Sequence, residues 1–173
     1  KPESPAEADD APEPAVDLLD PVMRRQIRVA LDHLRKRDLY DALGLTRDAP
    51  TREIALRADG ERQKWMKKTQ VTAEKTAWLE VVALAQSHLT NAASRDRYDR
   101  TLDHEIEEAF CGSAAFALRG LSRLDPGTKS VLLDEAAARG IVPDRAERLV
   151  ARTCRGLGVA RDGVAMPTFA SVL

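Results

Sequence analysis

The side chains with the widest chemical repertoire in this chain are three histidines and two cysteines, and their spacing decides what they can do. His33, His88 and His104 fall in separate helical patterns, away from any cysteine and without a repeated His spacing. His104-Glu105-Ile106-Glu107-Glu108 carries half of a zinc helix. Such a helix needs a second His four residues on to put two ligands on one face, and position 108 is Glu. The acids Asp103, Glu105, Glu107 and Glu108 therefore read as a solvated helix face. Cys111 and His104 offer a nucleophile and a base, but a separation of seven residues sets them roughly 10 Å apart along a helix, beyond direct hydrogen bonding. Cys111 and Cys154 form no C-x-x-C pair, which removes a structural zinc. They read as two reduced thiols in apolar surroundings, with a disulfide between them as the alternative. No phosphate-binding glycine loop and no nucleophile elbow occurs. The chain reads as a non-enzyme without cofactor or metal.

Basic residues are the other candidates. Lys and Arg number 27 against 28 Asp and Glu, a net charge of −1, which argues against wholesale electrostatic binding of nucleic acid and leaves only local patches. Arg145, Arg148, Arg152 and Arg155 recur every three or four residues and so share one helix face. They follow the short turn Arg139-Gly140-Ile141-Val142, so the last two helices can be read as a helix-turn-helix whose second helix touches phosphates. A second group, Arg62, Lys64, Lys67 and Lys68, lies around a polar connector. A third, Arg24, Arg25, Arg28, Arg35, Lys36 and Arg37, forms the polar side of the first helix and reads as solvated.

The elements that must position these groups are all helical. The sequence is rich in Ala, Leu, Arg and Glu, which lose little entropy in a helix. Residues 1–19, with Pro2, Pro5, Pro12 and Pro14, read as a disordered linker. Asp20-Pro21 starts a helix bearing Met23, Ile27, Ala30, Leu31 and Leu34. A short turn of helix, Asp38 to Leu43, ends at Gly44. The spacing predicts a helix from Thr51 to about Lys68, with Ile54, Ala58, Trp65 and Met66 on its apolar side, and another from about Ala73 to Thr90 carrying Ala77, Trp78, Val81, Val82, Leu84, Ala85 and Leu89. Joined by the polar residues 67–72, these two form an antiparallel hairpin. Ser94 is expected to cap a helix through Tyr98, Leu102, Ile106 and Phe110, with Gly112 kinking or ending it and a helical stretch with Phe116, Leu118 and Leu121 beyond. Two further helices start at Asp125-Pro126 and Val142-Pro143, and residues 161–173 read as a loose tail.

Three segments in the middle of the chain carry a family resemblance. Asp38-Leu39-Tyr40-Asp41-Ala42-Leu43-Gly44-Leu45 resembles the D-x-Y-x-x-L-G-[LV] opening of J-domains, the helical co-chaperones that stimulate the ATPase of the large heat-shock chaperone. Glu53-Ile54 resembles the start of the family's second helix. Leu89-Thr90 through Arg95, then Tyr98-Asp99, resembles its L-S-D-P-x-x-R-x-x-Y-D, with Asn91 and Ala92 where Asp and Pro are usual. The resemblance covers about residues 38–100 and implies a core of Tyr40, Leu43, Ile54, Trp65, Trp78, Val82, Leu89 and Tyr98. The family's loop between its long helices carries His-Pro-Asp, the contact that triggers ATP hydrolysis. Here those positions fall on Met66-Lys67-Lys68: Lys68 reverses the charge of the acid, and Lys67 removes the rigid turn.

The reading is an all-α chain: a J-domain-like hairpin with an added N-terminal helix over residues 20–110, then a small helical subdomain over 111–160. The function expected is non-catalytic protein–protein interaction or scaffolding, unable to stimulate a chaperone ATPase. Its partner is another protein or an attached domain, met through Arg62, Lys64, Lys67 and Lys68. A divergent co-chaperone still docking on the heat-shock chaperone, and a nucleic-acid binder using the four α-helical arginines, are the alternatives. No apolar run approaches the ~20 residues of a membrane span and no signal peptide opens the chain, so the expected compartment is the cytoplasm. The start at Lys1-Pro2-Glu3, without methionine, is read as that of a piece of a longer multidomain protein.

Overall fold

Asp20 and Pro21 begin the first helix for the reason their types imply. In the computed structural model, which describes residues 17–160, the Asp20 carboxylate accepts from the Val22 N–H at 2.8 Å and opens α1 (Pro21–Leu34). There follow α2 (Leu39–Leu43), α3 (Thr51–Met66), α4 (Ala73–Leu89), α5 (Ala92–Leu118), α6 (Pro126–Ala138) and α7 (Pro143–Leu157). No strand occurs among the described residues; a single parallel bridge joins Arg123 and Ala160. The fold is all-α, and no helix among the described residues is long and apolar enough to cross a membrane. The segment read as a loose tail, 161–173, and most of that read as linker lie outside the described residues; Leu19, at the end of the latter, is buried, its N–H donating to Thr101 Oγ1 at 3.0 Å.

The chain divides into two compact units, the first ending at Thr101 and the second starting at Leu102. In the first, α3 and α1 both pack on α4, whose apolar stripe of Ala77, Val81, Val82, Leu84, Ala85 and Leu89 is wide enough to serve two neighbours. The α3–α4 pair is antiparallel: Asp59 accepts from Gln86 at 2.7 Å near one end, and Trp65 meets Trp78 near the other. Thr72 caps α4 by accepting from the Lys75 N–H at 3.1 Å. Met66, expected on the apolar side of α3, is instead 61% exposed: Trp65, its neighbour in the same final turn, takes the side that meets α4, and Met66 lies about 100° further round the helix.

A polar clamp closes this unit across 52 to 59 residues of sequence. Tyr40, 1% exposed, donates its hydroxyl to Asp99 Oδ1 at 2.9 Å and accepts from Arg95 Nε at 3.0 Å. The Tyr98 hydroxyl accepts from the Leu39 N–H at 3.0 Å, and Arg47 donates to the Asp99 carbonyl, also at 3.0 Å. Burial, reinforced by the bond to Asp99, pushes the Tyr40 phenol up to about 12, so the hydroxyl is a donor at any ordinary pH.

The second unit is built on the later part of α5 with α6 and α7. Phe110, Ala114 and Leu118 stand four apart on α5 and enter a core with Leu132, Ala136, Ile141, Leu149, Val150, Cys154 and Val159. Two expectations about α5 are corrected. Its cap is Asn91, whose Oδ1 accepts from the Ala93 and Ser94 N–H groups at 3.0 and 3.2 Å, and not Ser94. Gly112 does not end it: the helix runs unbroken to Leu118, because the buried stripe on both sides of Gly112 outweighs the roughly 1 kcal/mol that a mid-helix glycine costs. α6 and α7 both close on a left-handed glycine, Gly140 and Gly158, followed by a buried β-branched residue whose N–H bonds back five residues: Ile141 to the Ala136 carbonyl at 3.0 Å, Val159 to that of Cys154 at 2.9 Å.

Candidate functional site

At the end of the hairpin the chain has to pass from α3 to α4 through Lys67, Lys68, Thr69, Gln70, Val71 and Thr72. Two tryptophans hold this end in place. Trp65, in the last turn of α3, stacks on Trp78, in the second turn of α4, with ring centroids 5.6 Å apart and planes 16° from parallel. The Lys68 ammonium lies 3.3 Å from the Trp65 ring centroid, so a cation covers the pair. Lys64 Nζ sits 5.9 Å from the same ring and donates to Glu61 at 3.0 and 3.1 Å; Trp65 Nε1 donates to that carboxylate at 3.2 Å. Lys75 Nζ reaches back from α4 to the Lys68 carbonyl at 2.5 Å. The result leaves Trp65 only 4% exposed although it stands beside a loop.

The four basic residues proposed from sequence thus have different surroundings. Lys68 is drawn onto Trp65 and Lys64 onto Glu61 and the same ring. Arg62 and Lys67 are exposed. Beside them stand two apolar side chains that sequence reasoning did not assign to a surface, Met66 at 61% and Val71 at 83% exposure. The tip is therefore basic and apolar at once. Trp78, Glu61 and Lys75 were also missed as parts of it. The available signal was the pair of tryptophans flanking the polar connector.

The other candidates resolve separately. On α7, Arg145 is engaged within its own unit: Nε and one terminal nitrogen each donate to Glu107 at 2.7 Å, a bidentate pair. Arg148, Arg152 and Arg155 are exposed, with Arg152 at 4.0 Å from Cys111 Sγ. The turn between α6 and α7 is short, as a helix-turn-helix requires, but Asp144 and Glu147 share the helix with the arginines. Cys111 and Cys154 are both free thiols, the first half-buried and the second buried. His104 pairs with Glu108 at 3.4 Å, and no group of three or more metal-ligating side chains occurs among the described residues. His88 Nε2 is buried without a hydrogen-bond partner; burial, with Arg97 adding to it, holds this imidazole below its usual 6.5.

No family model, curated protein or solved structure matches the chain.

Proposed function

We propose that the first unit is a non-catalytic, J-domain-like docking module within a larger protein, and that it binds another protein or an attached domain through the end of the α3–α4 hairpin. The observation that carries this reading is the make-up of that end, where Met66, Lys67 and Val71 project around a Lys68–Trp65–Trp78 stack. A stack of this kind fixes the loop, so a partner meets a preformed surface and association loses little conformational entropy. The J-like part of the reading is supported by the clamp: Tyr40 from the opening motif and Arg95, Tyr98 and Asp99 from the closing motif are tied together by hydrogen bonds. It is further supported by the order of a short helix, an antiparallel hairpin and a following helix.

The same site argues against chaperone activation. At the position of the acid in the family's tripeptide stands Lys68, and its ammonium is turned onto an aromatic face. An ATPase assay with the heat-shock chaperone is expected to show no stimulation. Stimulation that disappears in a Lys67→Ala, Lys68→Ala double variant would overturn this. For the docking role, a photo-crosslinking residue at Val71 of the full-length protein should capture one partner, with capture lost in Lys67→Glu. Equal capture in Lys67→Glu, or equal capture from a position on the outer side of α1, would sink the assignment.

A nucleic-acid role for α7 is the second reading, favoured by the exposure of Arg148, Arg152 and Arg155. With Arg145 held by Glu107, binding would rest on three arginines at most, and a mobility shift that vanishes steeply with added salt is its test.

A further inference from the structure

Charge is distributed unevenly along α1 and the residues that follow it. From position 24 to position 37 stand six bases, Arg24, Arg25, Arg28, Arg35, Lys36 and Arg37, against one acid, Asp32. The unit engages only part of this charge. Lys36 and Arg37 share Asp41, each at 3.9 Å, and Arg28 donates to the Arg37 carbonyl at 3.5 Å. Arg25 and Arg35 are exposed and make no ion pair among the described residues. Arg25 lies on the side of α1 away from the buried Ile27, Ala30 and Leu31. Arg35 holds a left-handed backbone, φ 54°, that a glycine would adopt at lower cost.

The chain that leads into α1 carries the opposite charge. Residues 1–16 hold five acids, Glu3, Glu7, Asp9, Asp10 and Glu13, against one base, Lys1. Where this segment meets the described residues, an acid is already docked on an arginine: Asp17 accepts from Arg97 Nε at 3.0 Å. Leu19 is buried and Asp20 caps α1, so the junction is fixed at the start of that helix. Glu13 and Asp10 then lie within roughly 25 Å of extended chain from Asp17, and Arg25 stands one turn into α1, about 6 Å along it. Sixteen residues reach up to ~53 Å, against a length of ~21 Å for α1, so acids from Glu13 back to Glu3 can lie beside bases from Arg25 to Arg37. The unit's other basic surface, at Arg62 and Lys67, stands at the opposite end of α4 from the turn into α5, and α4 is about 25 Å long. The effective concentration of a tethered group falls with the span it has to cover, which favours α1.

We propose that residues 3–13 fold back along the basic side of α1, setting their carboxylates against Arg25, Arg35 and the neighbouring bases, and so close this face to other anions. The contact is salt-labile, because the screening length falls from about 10 Å at 0.1 M salt to about 3 Å at 1 M. Carbodiimide coupling of the intact 173-residue chain, read by peptide mapping of the monomer band, tests it, since the reagent joins a carboxylate to a lysine amine only where the two touch. Lys36 is the native reporter on this face, Arg25→Lys adds a second at unchanged charge, and Lys67 at the hairpin tip is the control. At low salt, links from residues 3–13 to positions 25 and 36 should exceed those to Lys67 by roughly tenfold, and 1 M salt should remove the excess. Arg25→Glu combined with Arg35→Gly, the second of which suits the left-handed backbone, should cut the links to Lys36 about fivefold and leave those to Lys67 unchanged. Links to Lys36 no more frequent than those to Lys67 overturn the proposal, as does an excess that survives 1 M salt or is unmoved by the double variant.

Discussion

Replacing Tyr40 by Phe removes one oxygen atom and isolates the contribution of the clamp. The ring stays, so the packing of a 1%-exposed side chain is preserved. Two hydrogen bonds go, one donated to the Asp99 carboxylate and one accepted from the Arg95 guanidinium. A hydrogen bond to a charged group contributes about 1.5–3 kcal/mol, but the Asp99 and Arg95 side chains retain 30% and 17% exposure and recover part of it from water. The expected loss is therefore about 1.5–2 kcal/mol, well above the error of a denaturant titration. Both tryptophans of the chain, Trp65 and Trp78, lie in the first unit, so urea unfolding followed by tryptophan fluorescence reports that unit alone. The clamp also has a pH signature. The phenol is raised in the folded state from 10 to about 12, so its contribution is whole below pH 10 and is lost as pH rises through about 12. Wild type should lose stability over that interval, and Tyr40→Phe should lose less. A loss below about 0.5 kcal/mol at pH 7, or an alkaline slope identical in the two proteins, would refute the account of the clamp.

Three further changes test separate parts of the first unit. Gly60 sits exposed inside α3 with open space around it, so Gly60→Ala should raise the unit's stability by roughly 0.5–1 kcal/mol, read as a higher urea midpoint at unchanged m-value. Lys68→Gln takes the cation off Trp65 and should cost about 1 kcal/mol while shifting tryptophan emission to longer wavelength; an unchanged spectrum would mean that Lys68 does not cover the ring in solution. His88 is held below 6.5 in the folded state, so its neutral form supports the fold above that pH and the support is lost as pH falls; the acid-side decline should be shallower in His88→Gln than in wild type by the same fluorescence titration.

Much of the helical layout was legible because local signals and tertiary demand coincide. Asp20 before Pro21, Asp125 before Pro126 and the glycines at 44, 140 and 158 each mark a helix end by the chemistry of its unsatisfied N–H or carbonyl groups, and the ends lie there. The misreadings arose where the two signals conflict. Asn91 and Ser94 are both good caps, and Gly112 is a poor helix residue. Which cap is used, and whether the helix survives the glycine, depends on Phe110, Ala114 and Leu118 being buried together, which local propensity does not encode. Met66 and Phe116 illustrate the same limit: a helical period leaves open which residues of a turn a neighbouring helix covers, and Trp65, Ala114 and Leu118 are covered where Met66 and Phe116 are not.

The candidate site was legible in its position and not in its chemistry, and the reason bears on how basic clusters are read. Four cations around residues 62–68 suggest a simple positive patch. In the folded unit, Lys64 lies against Glu61 and Trp65, and Lys68 lies over the same Trp65 ring, so two of the four, though exposed, are engaged by groups of their own unit. Beside them, Arg62 and Lys67 stand exposed with Met66 and Val71. Electrostatic attraction from so few charges steers encounter and is weakened by salt, whereas desolvation of the two apolar side chains sets how long a complex lasts. The same division holds on α7, where formal charge gives four arginines and the bidentate bond to Glu107 withdraws Arg145. A charge count therefore overstates the electrostatic reach of both faces, and at the hairpin tip it hides the apolar pair on which a lasting contact would depend.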